Sequence, residues 1–382
     1  MSGQKSDLSR KRIIGLFPEL LGIGGVQEAG RLTAAAIQRS ASRLGWSVDF
    51  LGLNDPKGSH SFGIAEINVS FQGFGRAKAA FVFAAIRHAR ALTNGINDAV
   101  VAAHPNLAPA VGWMKSTHGP LRAIVMSHGI EVWQPLPYLR RHALTAADVV
   151  LAPSRDTAQK LADVQGVSPL KIHRLPWPLN PAFLRLAETP ASLCCPAAFS
   201  NRPVILTVGR WSASERYKGA DDLIAAVAEL SVEFPSVSLA AVGGGNDLPR
   251  LRKLADNLGL SQRIHFLENL TREEVAACYA HADIFALPSA GEGFGIVFLE
   301  AMAFSKAVVA ASSGGALDVI EDNVNGLLVP RHDSKQLACA LRRVLGDDAL
   351  RERLGHRGRE IVTEKYRFEG FANELERILE PA

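Results

Sequence analysis

Two glutamates, Glu292 and Glu300, stand eight residues apart in the stretch Pro288-Ser289-Ala290-Gly291-Glu292-Gly293-Phe294-Gly295-Ile296-Val297-Phe298-Leu299-Glu300-Ala301-Met302-Ala303. It follows an apolar strand pattern, Ile284–Leu287, and opens a helical one. Gly293 and Gly295 let backbone N–H groups come close to a ligand, and a helix N-terminus behind them favours negative charge. Carboxylates accept hydrogen bonds from sugar hydroxyls and repel phosphates. At 1.5 Å per helical residue, eight residues span roughly 12 Å. That separation suits carboxylates gripping hydroxyls at opposite ends of one extended molecule, with a diphosphate at the helix start.

The first half of the chain offers further strand-end candidates. Glu19-Leu20-Leu21-Gly22-Ile23-Gly24-Gly25-Val26-Gln27 lies between a strand pattern and a helix pattern. A Gly-rich turn in that place can cradle phosphate or sugar. It fails as a dinucleotide fingerprint, because the third glycine is replaced by Gln27. Asp49, at the end of the next strand, would otherwise be a ribose ligand. Ser127-His128-Gly129-Ile130-Glu131-Val132-Trp133 and His104-Pro105-Asn106 also end strands, where ligands gather in open α/β sheets. Glu131 either meets a substrate or caps a turn. No C-x-x-C spacing exists among the four cysteines, and Asp221-Asp222 is an adjacent pair rather than a D-x-D, so neither metal nor cofactor is expected.

Many elements must position these groups. Strand patterns fall at Arg12–Phe17, Ser47–Leu51, Ala99–Ala103, Arg122–Met126, Val149–Ala152, Ile172–Leu175, Val204–Val208, Ser238–Val242, Ile264–Phe266, Ile284–Leu287, Ala307–Ala310 and Gly326–Val329. Helical patterns alternate with them, so the fold class is α/β with parallel sheets covered on both faces. A length of 382 residues makes two domains the first expectation. Proline density near Leu175–Asn201 marks the joint between them. The expected organisation is a tail over 1–12, a first domain over 13–178, a linker over 179–202, a second domain over 203–365 and a last helix over 366–382.

Composition narrows the function classes. Apolar residues make up 47% and charged residues 21%, which excludes global disorder. A net charge of +4 is far below that of a dedicated nucleic-acid binder, so no nucleic-acid partner is expected. No apolar run approaches the ~20 residues of a membrane span, and the start of the chain lacks an export signal, so a cytoplasmic location is expected. Residues 75–92 (GRAKAAFVFAAIRHARAL) combine apolar and basic positions. Such a helix either lies on an anionic membrane or packs with a solvated basic face.

E-x7-E within E-G-F-G-I-x-x-x-E-A-M-A resembles the signature of retaining glycosyltransferases of family 4, which have the GT-B fold. Gly209-Arg210, Lys218-Gly219 and Ala241-Val242-Gly243-Gly244-Gly245 resemble family segments in the same order. So do Ile264–Leu267 and the H-G-x-E-x-W around His128. The resemblance implies two Rossmann-like doubly wound domains facing a central cleft, with a C-terminal helix crossing back. It implies a sugar moved from a UDP- or GDP-sugar to a hydroxyl acceptor, a lipid-linked or polysaccharide glycan, by a metal-independent enzyme at or near the membrane.

By this resemblance Glu292 contacts the donor sugar and Glu300 the ribose, while the backbone of Gly293, Phe294, Gly295 and Ile296 meets sugar and phosphate. Arg210 and Lys218 pair with the diphosphate, with Arg216 a rival for the Lys position because the loop from Trp211 to Tyr217 is long. Gly243 and Leu267 belong to the turn and strand near the base. Gly24 and Gly25 lie near donor phosphate and acceptor, His128 near the transferring sugar, and Glu131 and His104 near the acceptor. The alternatives are a GT-B sugar-nucleotide epimerase, which needs no acceptor, and a non-catalytic scaffold.

Overall fold

The computed structural model describes residues 11–90, 92, 97–118, 121–199 and 201–380. Two compact units divide the chain: Met1–Asn180 with Phe368–Ala382, and Pro181–Arg367.

The first unit is built on an eight-stranded sheet. Its strands are β1 (Arg12–Phe17), β2 (Ser47–Gly52), β3 (Gly58–Ile64), β4 (Ile67–Gly73), β5 (Ala99–Ala102), β6 (Arg122–Met126), β7 (Val149–Ala152) and β8 (Ile172–Arg174). Their order is β3-β4-β2-β1-β5-β6-β7-β8. Every pairing is parallel except β3 with β4. The inner strands β5 and β7 are buried along their whole length, as strands covered by helices on both faces must be.

The second unit holds β9 (Val204–Val208), β10 (Ser238–Val242), β11 (Ile264–Leu267), β12 (Ile284–Leu287), β13 (Ala307–Ala311) and β14 (Leu327–Val329). All pair in parallel, in the order β11-β10-β9-β12-β13-β14. This is the doubly wound order that reverses once, between β9 and β12.

Several elements differ from the sequence expectation. The β3–β4 hairpin was not anticipated. Its turn is Ala65-Glu66, both at positive φ, where the sequence signal for such a turn is Asn-Gly or Asp-Gly. A helix over Ala108–His118 was also missed, because its apolar residues show little periodicity. The proline-rich joint is structured rather than a bare linker. Pro181 opens the helix Pro181–Glu188, a position where proline loses no hydrogen bond. Phe183 on that helix packs edge-on against Tyr279 and Phe304, all within the second unit. The tail of residues 1–12 lies outside the described residues except for Lys11 and Arg12, and Arg12 already belongs to β1.

The helix Phe368–Leu379 belongs to the first unit. It lies along the helix Gly25–Leu44, with Arg39 donating to Asn373 at 2.9 Å and Arg43 paired to Glu376. Lys11 Nζ donates to the Leu379 carbonyl at its end, and Phe371 packs on Trp177 at 5.8 Å. Phe368 and Phe371 are therefore packing residues. Tyr366 stays with the second unit: its hydroxyl donates to the Asp318 carbonyl and its ring meets Phe294.

In the second unit the helix Asp348–Lys365 braces the helix Ile296–Ala303, which carries Glu300. Close approach depends on Gly355, where a Cβ would stand 2.0 Å from the Ser305 carbonyl oxygen. Gly346, near the end of the preceding helix Ser334–Gly346, has nothing within 4 Å of such a Cβ. Gly355→Ala is expected to cost about 1–3 kcal/mol through overpacking. Gly346→Ala is expected to be neutral or stabilising by up to ~0.5 kcal/mol through helix propensity. Urea unfolding of the two variants checks this, and equal midpoints would contradict the packing account.

Candidate functional site

The reversal between β9 and β12 sends the chain away from these adjacent strands toward opposite faces of the sheet. The loops that follow them therefore open a crevice at the strand carboxyl ends. After β9 come Gly209, Arg210 and a turn over Ala213–Lys218; after β12 comes the segment Pro288–Gly295. Ala290 N–H donates to the Tyr217 carbonyl at 2.7 Å and ties the two loops together. Gly219 makes their approach possible: φ is +75°, and a Cβ there would lie 2.5 Å from the Pro288 carbonyl oxygen. On the far side, Gly315 N–H donates to the Glu292 carbonyl at 2.7 Å and Ser313 Oγ to the Ala290 carbonyl at 2.6 Å.

Across this crevice Lys218 Nζ meets Glu292 Oε1 at 3.0 Å. Their side chains are only 13% and 12% exposed, so the pair is held largely out of water. Arg216 points elsewhere: it pairs with Asp247 at 3.3 Å, and Asp247 also binds Arg250. Arg250 in turn reaches Asp221. Of the two rivals, Lys218 faces Glu292 and Arg216 faces Asp247. Arg210 stands 73% exposed and pairs with Glu215, which is 11% exposed.

Glu300 lies one turn into the helix Ile296–Ala303, where its Oε2 accepts from the Tyr279 hydroxyl at 2.9 Å. Tyr279 is fully buried, and burial together with the neighbouring carboxylate pushes its hydroxyl well above the usual range. It stays a donor and fixes the carboxylate. Glu292 lies in the loop before the helix, so the helical rise separates Glu300 only from Ile296. Gly293, Phe294 and Gly295 are buried beneath this turn, with Ile296 half-buried. Gly243 follows β10 and its N–H donates to the Leu267 carbonyl at 2.8 Å, joining the two strand ends beside Arg210.

In the first unit the turn before the helix Gly25–Leu44 is braced from below. The buried Asp55 carboxylate accepts from the N–H groups of Leu20 and Leu21. Arg31 donates to the carbonyls of Leu20 and Gly22. Gly24, at φ +144°, and Gly25 are left exposed at the helix start. Asp49 pairs with His88 at 3.1 Å and Arg12 at 3.6 Å, and it lies inside β2 rather than at its end.

His104 and His128 stack at 5.7 Å after β5 and β6, and His128 stacks on Trp177 at 5.3 Å. His128 Nε2 lies 2.7 Å from the Ala103 carbonyl, so that nitrogen carries the proton and donates it. His104 Nδ1 accepts from Asn106 N–H, which makes it the unprotonated nitrogen. Burial, with the charge of His128 second, pulls the His104 imidazole down to about 4. It is neutral near pH 7. Glu131 accepts from the His128 backbone N–H, so one of its two open roles, the cap, is realised.

Sequence reasoning named the charged residues but missed the groups that touch them, Glu215, Tyr217, Tyr279 and Trp177. Tyr217 and Glu215 lie inside the loop that had looked merely long, and Tyr279 reaches Glu300 from another helix with no local signal. Among the described residues no group of three or more His, Cys, Asp or Glu is arranged to hold a metal ion. None of the described helices is long and apolar enough to cross a membrane.

Comparison with known proteins covers both halves of the chain. Residues 196–361 match the family model described as glycosyl transferases group 1, and residues 32–183 match glycosyltransferase family 4. A GDP-mannose-dependent alpha-(1-6)-phosphatidylinositol monomannoside mannosyltransferase of Mycolicibacterium smegmatis is 33% identical over 261 residues, 65% of this chain and 68% of that protein. A D-inositol 3-phosphate glycosyltransferase of Corynebacterium jeikeium is 42% identical over 159 residues, covering 40% of this chain and 37% of its own. Among solved structures, sucrose-phosphate synthase from Thermosynechococcus elongatus superposes with a TM-score of 0.77 at 23% identity, covering 97% of this chain and 98% of that one. The last likeness shows the fold, two Rossmann-like parallel-sheet units of the GT-B type.

Proposed function

The chain belongs to glycosyltransferase family 4 and is a glycosyltransferase; from that premise we propose that it transfers a sugar, with retention at the anomeric carbon, from a UDP- or GDP-sugar to a hydroxyl on a glycan or lipid-linked acceptor. One observation carries the assignment of the donor site. Lys218 and Arg210 stand at the same sheet reversal as Glu292 and the helix that bears Glu300. Cations beside a helix N-terminus suit a diphosphate, and flanking carboxylates suit hydroxyls. The activity for which the mycobacterial relative is named supports a nucleotide-sugar donor and a lipid-linked acceptor.

In the proposed step the bond between the anomeric carbon and the diphosphate oxygen breaks, and the electron pair leaves on the diphosphate. Lys218 and Arg210 stabilise that charge. They supply the stabilisation that a divalent metal supplies elsewhere. The acceptor oxygen bonds to the anomeric carbon on the same face, and its proton passes to the departing phosphate. Lys218 exchanges Glu292 for phosphate, which frees Glu292 for the donor sugar. Glu300, fixed by Tyr279, takes the ribose hydroxyls. The N–H groups from Gly293 to Ile296 meet sugar and phosphate, and Gly243 and Leu267 border the base. On the first unit His128, Gly24 and Gly25 serve the transferring sugar and its phosphate, and His104 and Glu131 the acceptor.

Peripheral docking on an anionic bilayer belongs to the same reading. From residue 67 to residue 147 the sequence holds eight Lys and Arg but only Asp98 and Glu131 as acids. Asp98 is buried and accepts from Arg12 N–H, and Glu131 accepts from His128 N–H. The helix Lys78–Ala89 packs inward through Phe81, Ala85 and Ala89 while Phe83 is 69% exposed. Trp113, Tyr138 and Leu139 are also exposed, on helices whose charged residues are all basic. Basic side chains with exposed aromatic and aliphatic ones fit the headgroup region.

A ligand at a hundred times its dissociation constant stabilises by about 2.7 kcal/mol. One of UDP and GDP is therefore expected to raise the melting temperature in metal-free buffer, and Glu300→Ala to abolish the shift. No shift with either, or a shift with NAD alone, would reject the donor site. For the membrane, replacing Arg76, Lys78, Arg87 and Arg90 with Gln is expected to weaken sedimentation with phosphatidylglycerol vesicles at low salt. Undiminished sedimentation would reject docking through this helix.

A further inference from the structure

The loop after β9 contains a carboxylate that the transfer step leaves without a task. Glu215 is 11% exposed, yet its Oε1 holds the guanidinium of the exposed Arg210. The Tyr217 hydroxyl hydrogen-bonds Glu215, and burial, with Glu215 and Glu292 nearby, pushes that hydroxyl far above its ordinary range, so it is the donor. The turn itself is pinned. Glu215 N–H donates to the Ser212 carbonyl at 2.8 Å, Ala213 N–H to Asn246 Oδ1 at 2.9 Å, and Arg216 pairs with Asp247. Asp247 is 6% exposed and is gripped by Arg250. A long, flexible arginine is thus tied by one nitrogen to a carboxylate that has little freedom of its own.

A guanidinium has five N–H donors in a planar fork. One edge can stay on a carboxylate while the other grips phosphate oxygens. Holding the side chain in place before binding removes the entropy cost of ordering it when the ligand arrives. A carboxylate this close also repels phosphate. Positioning and charge therefore act with opposite signs on diphosphate affinity, which makes the role measurable.

We propose that Glu215, anchored by Tyr217, is a positioning residue that presets Arg210 for the diphosphate of the donor. The inference rests on the assignment of Arg210 to that diphosphate. It is tested by calorimetric titration of the full chain with whichever of UDP and GDP binds it. Removing a negative charge should tighten binding if charge alone matters. Glu215→Ala is expected instead to weaken it about tenfold, with Tyr217→Phe acting in the same direction and less strongly. Glu215→Gln, which keeps a hydrogen-bond acceptor without the charge, should restore most of the affinity.

In an Arg210→Ala background, Glu215→Ala is expected to leave affinity unchanged or slightly improved, because the residue it serves is gone. Tighter binding by Glu215→Ala in the wild-type background overturns the proposal. An equal loss in both backgrounds also overturns it, since that would mark general damage to the loop. Unchanged affinity for Arg210→Ala alone rejects the donor-site assignment itself, and this inference with it.

Discussion

A parallel sheet whose strand order reverses leaves two neighbouring strand ends with loops departing to opposite faces. In the second unit that happens between β9 and β12, and the residues able to handle a nucleotide sugar follow from it. Backbone geometry sets the crevice first. The Ala290-to-Tyr217 hydrogen bond and the contact of Gly219 with Pro288 fix its width. Side chains then fill it in opposed charges: Lys218 on Glu292, Arg210 on Glu215. Without a ligand the cations are neutralised by carboxylates, so neither lies buried and uncompensated. In the proposed step a diphosphate brings the charge that replaces one of those partners.

Support for this arrangement comes from behind. Gly355 lets the helix Asp348–Lys365 press against the end of the helix that carries Glu300, and Tyr279 pins the carboxylate from a third helix. The first unit uses the same device at smaller scale. The buried Asp55 and the Arg31 guanidinium hold the Gly-rich turn by its backbone, so that Gly24 and Gly25 stay open at the helix start. In both units a strand end is made rigid by buried polar groups, and the exposed residues are left to meet a ligand.

Much of this was readable from residue order because it is local. Apolar runs three to six residues long became twelve of the fourteen described strands, and the segment from Glu292 to Glu300 sat where a strand end meets a helix. What escaped lacked a local signal. The β3–β4 hairpin turns through Ala65 and Glu66 at positive φ, held there by pairing and not by turn chemistry. The helix Pro181–Glu188 hid among prolines and is fixed by Phe183 packing on residues about a hundred positions away. Tyr279 and Glu215 became visible only once the chain brought their partners alongside. Beyond β11, Glu268 accepts from Arg252, a partner sixteen residues away that no local pattern announces.

The central claim is that nucleotide diphosphate binds where β9 and β12 diverge. Hydrogen–deuterium exchange of the full chain with saturating UDP or GDP, against the free chain, tests it most directly. The account predicts slowed exchange in peptides covering residues 209–219 and 290–300, with the strands of the first unit unchanged. Saturable binding that leaves those peptides as they were, or that protects only the turn from Gly22 to Gln27, would contradict it.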